Sequence, residues 1–280
     1  MTNNSEQHSD IFVDGETRLF GAIGDPIAQI KMPSLINPIF AELGVNILAV
    51  PLHVSADGLA SAWQGFRHLR NLIGLAVTLP HKANAARLSD RLELSAKRAG
   101  VANCIRREPD GSMTGGLFDG LGFVGGLTAE GHTVKGREIF MVGAGGAASA
   151  IAFALADAGA KRLIIANRTR AKAEALAEQL NTALNRPFAT VEEADPAGFS
   201  IVINSTSLGL DPSDSLPVDV ERLSPGTLVA EVIAKPEVSK LLEAAAARGC
   251  KIHSGIHMVR HQIRETVRFV SNRQHCDVGG

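Results

Sequence analysis

From residue 18 onward, short apolar runs alternate with amphipathic stretches, and this rhythm restricts the chain to a narrow class of folds. A run too short to bury itself as a helix, followed by a stretch of helical period, reads as a βα unit, and repeated units build a mainly parallel sheet with helices on its faces. Residues 18–23, 46–50 and 74–77 are expected strands, with helices over 34–43 and 56–69 between them. Pro33 suits the first turn of the earlier helix, where its missing N–H costs nothing. A helix over 91–99 should lead into a strand over 101–105, and Glu108-Pro109-Asp110-Gly111 reads as a hairpin connection.

The composition then shifts. Gly115, Gly116, Gly120, Gly122, Gly125 and Gly126 crowd one segment, which is the expected boundary between two domains. A second βα series follows, with strands over 138–142, 162–166, 201–203, 228–232 and 251–253 and helices over 147–158 and 170–180. A last helix over about 258–270 follows Gly255 and is expected to return to the first domain. The length of 280 residues fits two modest domains.

Composition narrows the function. Lys and Arg number 28 against 29 Asp and Glu, so no basic stripe is expected for nucleic acid or an anionic membrane. No tyrosine occurs, which excludes dehydrogenases whose general acid is a tyrosine hydroxyl. Cys104, Cys250 and Cys276 stand far apart and form no Cys-x-x-Cys pair, so neither a disulfide framework nor a thiolate zinc site is indicated, and a cytoplasmic location is expected. The polar N-terminus lacks the apolar core of a secretory signal, and no apolar run approaches the length that spans a bilayer.

The strongest local signal is Phe140-Met141-Val142-Gly143-Ala144-Gly145-Gly146-Ala147-Ala148, a strand ending in a glycine turn that opens an alanine-rich helix. Such glycines let the backbone approach a pyrophosphate, whose charge then sits at the helix N-terminus. The end of the next strand decides which dinucleotide is bound. An NAD site places a carboxylate there for the ribose 2′-hydroxyl; this chain has Asn167, Arg168, Thr169 and Arg170. Two guanidiniums and a hydroxyl suit a 2′-phosphate, so the expected cofactor is NADP or NADPH. Arginine in a first helical turn opposes the helix dipole, which argues against a merely solvated helix start.

A third constellation is Val77-Thr78-Leu79-Pro80-His81-Lys82, which follows a strand and places Lys82 beyond its C-terminal end, where open α/β sheets bind ligands. Leu117-Phe118-Asp119-Gly120 puts a carboxylate in the glycine-rich segment. Lys82 and Asp119 either meet in one cleft, as a pair that passes a proton to or from a substrate oxygen, or are a surface lysine and a helix cap. Spacing alone leaves both open. His253, His257 and His261 recur at every fourth residue, but Met258 stands where a zinc-protease helix carries glutamate, and no metal is expected. His81 either acts on Lys82 or faces away from it.

Taken in order, Val77-Thr78-x-Pro80-x-Lys82, Val101-Ala102-Asn103, Asp119-Gly120-x-Gly122-Phe123, Gly143-x-Gly145-Gly146-Ala147, Asn167-Arg168-Thr169, Asn204-x-Thr206-Ser207-x-Gly209 and Met258-x-x-x-Gln262 resemble the shikimate dehydrogenase family. The resemblance covers the chain from about Leu19 to Gln262. It implies an α/β fold of two domains with the active site between them. Residues 1–17 would be a flexible tail, 18–122 a substrate-binding catalytic domain, 123–255 a Rossmann-like NADP-binding domain, and 256–280 a C-terminal helix packing back on the first domain. The implied catalytic pair is Lys82 and Asp119, with Thr78, Asn103 and Gln262 on the substrate. Ala144, Thr206, Ser207, Gly255 and Met258 join the glycine loop and residues 167–170 on the cofactor.

The chain departs from the family pattern where the substrate is gripped. Family members hold a substrate carboxylate with two serines of a Ser-x-Ser-Pro segment; here the segment reads Gln29-Ile30-Lys31-Met32-Pro33. Ala76 replaces an asparagine, Leu117-Phe118 an Asn-Thr pair and Ala234 a tyrosine, with Glu231 three residues before it. A site stripped of such groups leaves buried substrate hydroxyls unpaired. Lys31 either replaces the serines as a carboxylate anchor or is a solvated lysine at a helix entry. The expected activity is reversible hydride transfer between NADP(H) and a ring hydroxyl or ketone of a small cyclic, carboxylated substrate, with shikimate itself disfavoured by the replaced serines, by a monomer or homodimer. The alternative is a catalytically weak or inactive NADP-binding regulatory module.

Overall fold

A computed structural model describes residues 13–271. Residues 1–12 of the expected tail and residues 272–280, with Cys276, lie outside the described residues. The first half of the chain runs β1 (Arg18–Gly24), α1 (Met32–Glu42), β2 (Ile47–His53), α2 (Leu59–His68), β3 (Leu72–Val77), α3 (Lys82–Leu88), β4 (Arg91–Leu92), α4 (Leu94–Ala99), β5 (Cys104–Arg107), β6 (Met113–Gly116) and α5 (Asp119–Ala129). The second half runs β7 (Glu138–Val142), α6 (Gly146–Asp157), β8 (Arg162–Ala166), α7 (Arg170–Leu184), β9 (Ala189–Val191), β10 (Ile201–Asn204), a short 3₁₀ turn, β11 (Leu228–Glu231), α8 (Lys240–Ala247), β12 (Lys251–His253) and α9 (Gly255–Ser271).

Two sheets result. The first has the order β2-β1-β3-β5-β6-β4. Its β1/β2, β1/β3 and β4/β6 pairings are parallel, whereas β5 runs antiparallel to both β3 and β6, the turn at Glu108–Gly111 folding the chain back from β5 into β6. The second, β12-β11-β10-β7-β8-β9, is parallel throughout. β7 and β10 lie side by side, and the chain winds outward from them in opposite directions, leaving a crevice at their C-terminal ends. Strands such as β7 and β8 are buried on both faces, which is why they read as continuous apolar runs rather than alternating ones.

The expected helix over 91–99 divides in two. Arg91 and Leu92 pair with Thr114 and Gly115 of β6, Glu93 is extended, and only then does α4 begin. Strand pairing at the sheet edge overrides local helical spacing there. Helices α3, α5 and α8 and strands β6 and β9 are absent from the expected pattern. α5 is the instructive case, since four of its eleven residues are glycine, each costing roughly 1 kcal/mol against alanine in a helix. Packing explains it: a Cβ at Gly120 would stand 2.1 Å from the Ala150 carbonyl oxygen of α6, and one at Gly122 would stand 2.5 Å from that of Met258 on α9. From Gly120 to Gly126 the glycine-rich segment is thus a helix pressed between two others, while Gly115 and Gly116 end β6.

One apolar core runs from the inner face of the first sheet, through α4, α5 and α6, to the inner face of the second. A second core covers the outer face of the first sheet, where Ile263, Val267 and Val270 of α9 pack against Phe20, Ile36 and Phe40. The C-terminal helix therefore lies on the first sheet. α8 covers the outer face of the second sheet with Leu241, Leu242 and Ala245. No helix among the described residues is long and apolar enough to cross a membrane.

Candidate active site

A cleft of about 820 Å³ opens between the C-terminal ends of the two sheets. Lys82 enters it from the first turn of α3, and Asp119 from the first turn of α5. The Lys82 ammonium donates to Asp119 Oδ2, and the two side chains are only 13% and 4% exposed. Asn103 Nδ2 donates to Asp119 Oδ1 at 2.7 Å, and Asn103 Oδ1 accepts from the Phe118 amide at 2.8 Å. Asn103 Nδ2 also lies 3.4 Å from Gln262 Oε1, which carries the network to α9. Four residues far apart in the chain thus form one buried polar network. Each Asp119 oxygen has a donor, and the Asn103 amide is committed to protein partners; Gln262 Nε2 is left to face the cleft. Asn103 Nδ2 holds Asp119 and Oδ1 holds the Phe118 amide just before it, so both hydrogen-bonding groups of this side chain meet protein partners.

No hydrogen bond joins His81 to Lys82. The His81 ring is wholly buried, Nε2 donates to the Val54 carbonyl at 2.7 Å, and neither His81 nor Val54 lines the cleft. Thr78 lines the cleft, and its carbonyl accepts the His81 amide to close the turn that leads into α3.

The other half of the cleft is built from backbone. Gly143 leaves β7 with φ +117°, a conformation open to glycine, and a Cβ there would stand 2.5 Å from Ser205 Oγ. α6 then starts with Gly145 at its N-cap and no side-chain cap, so its first amides are free to bind an anion. The far end of the loop comes close to the lysine: a Cβ on Gly146 would lie 3.5 Å from Lys82 Cδ. Beyond β8, Asn167 Nδ2 donates to the Thr169 carbonyl at 2.8 Å, and Arg168, Thr169 and Arg170 line the cleft. Arg170 pairs with Glu174 one helical turn on, in an exposed contact; Arg168 has no acidic partner among the described residues. Lys172, next along the same run, also lines the cleft, a third cation that the sequence reading passes over.

Thr206 and Ser207 line the cleft in the turn after β10. Thr206 Oγ1 donates to Asn204 Oδ1 at 2.7 Å and accepts the Leu208 amide at 3.1 Å, so its hydroxyl shapes the turn. Met258 and Gln262 present one face of α9 to the cleft, together with Val259. Gly255 does not line it. Its role is packing: a Cβ there would stand 2.4 Å from the Val232 carbonyl carbon.

The substrate end is lined by Ala22, Gln29, Ile30, Lys31, Met32, Ala76 and Thr78. Lys31 is the residue just before α1 and has no acidic partner among the described residues. Ala22, Ile30, Met32 and Ala76 give this wall no side-chain hydrogen bond. Leu117 is buried in the core and Phe118 stacks edge-on against Phe269 at 5.3 Å, so neither lines the cleft. Ala234 does.

The histidines at every fourth residue form a cluster behind the cleft. His253 stacks on His257 at 4.6 Å, and its ring centre lies 6.1 Å from that of His132. Burial, with the neighbouring His257, His132 and His261, pushes the His253 imidazole down to about 4. Among the described residues, no three histidine, cysteine or acidic side chains are grouped to hold a metal.

The comparisons with known proteins agree with this arrangement. The shikimate dehydrogenase substrate-binding domain model matches residues 22–105, and the shikimate/quinate 5-dehydrogenase model matches residues 127–209. A curated relative, shikimate dehydrogenase (NADP(+)) of Rubrobacter xylanophilus, is 39% identical over 261 residues, covering 91% of each chain. The crystal structure of shikimate dehydrogenase from Aquifex aeolicus superposes with a TM-score of 0.86 at 28% identity, over 95% of this chain and 96% of that one. The ligand-free 5-ketofructose reductase of a Gluconobacter species gives a TM-score of 0.80 at 31% identity, over 92% of this chain and 94% of that one. With a buried lysine–carboxylate pair, a glycine loop at the strand crossover and this likeness along nearly the whole chain, the protein belongs to the shikimate dehydrogenase family.

Proposed function

We propose that this protein is an NADP-dependent oxidoreductase that interconverts a secondary alcohol and a ketone on a small ring, and that the ring carries a carboxylate held by Lys31. The observation that carries the proposal is the buried Lys82–Asp119 pair standing against the Gly146 end of the glycine loop in one cleft. The residues fit the cofactor: the Gly143 cradle, the uncapped start of α6, and Arg168, Thr169 and Arg170 where a 2′-phosphate needs cations. The named relative from Rubrobacter xylanophilus uses NADP(+). Bound NADP supplies the hydride acceptor, and its reduced form the donor.

The chain's own residues do the rest. Lys82, once its ammonium has released a proton to solvent, takes the proton of the reacting hydroxyl during oxidation, and as the ammonium it returns one during reduction, so the carbinol loses one proton and one hydride in becoming a ketone. Asp119 holds Lys82 at the reacting oxygen, Asn103 keeps Asp119 in place, and Gln262 Nε2 donates to a neighbouring ring oxygen. Ala22, Ile30, Met32 and Ala76 favour a ring with fewer hydroxyls than shikimate, because a hydroxyl facing them would lose its water partners without replacement.

A second reading has one observation in its favour. 5-Ketofructose reductase, an enzyme named for an uncharged substrate, shares 31% identity with this chain, and under this reading the substrate is a neutral hydroxyketone with Lys31 on an oxygen. The test is formation or loss of reduced nicotinamide with purified protein, NADP(H), cyclic hydroxy acids including shikimate and quinate, and neutral keto sugars, with Lys82→Ala protein as the blank. Lys82-dependent turnover confined to acids supports the first reading; turnover confined to neutral ketones supports the second. NADP binding with no turnover across both groups would replace either with a non-catalytic module.

A further inference from the structure

Glu231 ends β11 with its side chain entirely out of water, yet it does not line the cleft. Its Oε2 accepts from Ser239 Oγ at 2.9 Å and lies 3.5 Å from Asn204 Nδ2, while Oε1 meets no donor. These partners lead to three segments. Asn204 organises the turn after β10, accepting from the Thr206 amide and hydroxyl and donating to the Leu208 carbonyl at 3.0 Å. Ser239 caps α8 by accepting the Leu242 amide at 3.3 Å. Glu231 itself leads into Val232, Ile233 and Ala234, which line the cleft as Thr206, Ser207 and Leu208 do. One carboxyl therefore ties together the two loops that wall the cofactor half.

An apolar side chain would fill this space at lower cost, since a buried carboxyl without a counter-charge is expensive. Among the described residues no cation pairs with it. Of the elements packed around it, β10 offers only Asn204 and α8 only Ser239, with Lys240 and Glu243 exposed to solvent. His253 of β12 pairs with Ala230 and so faces the opposite side of the sheet. Asp214, in the loop beyond Leu208, is occupied by the Gly209 and Asp211 amides, and Lys235 is exposed. Burial accordingly pushes the Glu231 carboxyl up to about 7, against smaller opposing effects of Ser239 and Asn204.

We infer that Glu231 is a positioning residue for the two cofactor-facing loops, and that NADP binds best while its carboxyl carries a proton. Asn204 Nδ2 is shared between the Leu208 carbonyl and Glu231 Oε2. The two hydrogens of this planar amide serve one acceptor each, so loss of the proton, which shortens the long 3.5 Å contact, rotates the amide toward Glu231 and pulls its other hydrogen off the Leu208 carbonyl, releasing the Thr206–Leu208 turn. The inference rests on the cleft holding NADP.

The test is the NADP⁺ dissociation constant, by calorimetry at about pH 6 and about pH 8, for the wild type, Glu231→Gln and Glu231→Ala, with a thermal melt of each ligand-free protein. Gln keeps the neutral form, so its affinity should match the wild type at the lower pH and exceed it severalfold at the higher. Titration of the 2′-phosphate affects both proteins alike and cancels in their ratio. Glu231→Ala should bind about tenfold more weakly at both pH values; if it melts before it can be assayed, the Gln comparison decides alone. A Gln variant whose affinity follows the wild type at both pH values would overturn the inference. Wild-type protein that binds NADP⁺ at neither pH would overturn the cofactor reading, and this inference with it.

Discussion

The two ends of the cleft are made of different material. The cofactor end is mostly main chain: a glycine loop with one left-handed residue, the uncapped start of a helix, and a turn held by Asn204. The substrate end is mostly side chain: Lys31, Ala22, Ile30, Met32, Ala76 and Thr78 around the Lys82–Asp119–Asn103–Gln262 network. A main-chain site is set by topology and a few glycines, so a family can keep it while most residues change. A side-chain site is changed one residue at a time without disturbing the sheets. Function diverges at the second kind of site, and here it is the substrate end that departs from the family pattern.

The largest effect that would test this division is loss of proton transfer. Lys82→Ala should lower turnover by at least about a hundredfold, measured with whichever substrate the panel identifies; a folded variant that turns over normally would remove Lys82 from the mechanism. Next comes the end that belongs to the cofactor. Replacing Arg168 and Arg170 together with alanine should weaken NADP binding by roughly ten- to a hundredfold while leaving NAD nearly unchanged. Equal loss of both dinucleotides would place the 2′-phosphate elsewhere.

Lys31→Ala sharpens the contrast from the substrate side. For a carboxylated ring, KM should rise about tenfold with little change in NADP affinity; for a neutral substrate the rise should be much smaller. A change in NADP affinity instead would break the separation of the two ends.

The smallest effect concerns the helices that join the ends, α5 and α9, against which His253 is buried. Its imidazole falls from an ordinary value of 6.5 to about 4 in the folded protein. Between those values the unfolded chain binds the proton and the folded one does not, so stability should fall as pH drops from 6.5 toward 4. Glu231 has the opposite sign, since its folded value of about 7 lies above the usual 4.5 and its contribution is lost as pH rises through that range. Thermal melts of His253→Leu against wild type across this range isolate the histidine: the variant should lose fewer degrees on acidification. An identical slope would mean that His253 is not the group that titrates.

The βα rhythm, the glycine loop after β7, the arginines after β8 and the order of the family motifs were all legible along the chain, because each is a local pattern with a local physical cause. Period reports burial of a strand or helix face, and a glycine turn between a strand and a helix reports an anion site wherever the rest of the chain lies. Tertiary structure alone decided the remainder. Whether Lys82 and Asp119 meet depends on how α3 and α5 are brought together, and that depends on Gly120 and Gly122 admitting α6 and α9 to within a backbone contact of α5. The direction of His81, the packing role of Gly255, the commitment of Asn103 to Asp119 and the isolation of Glu231 follow from neighbours distant in sequence. A side chain's chemistry is written in its identity, but its partners and its access to water exist only once the chain has closed around it.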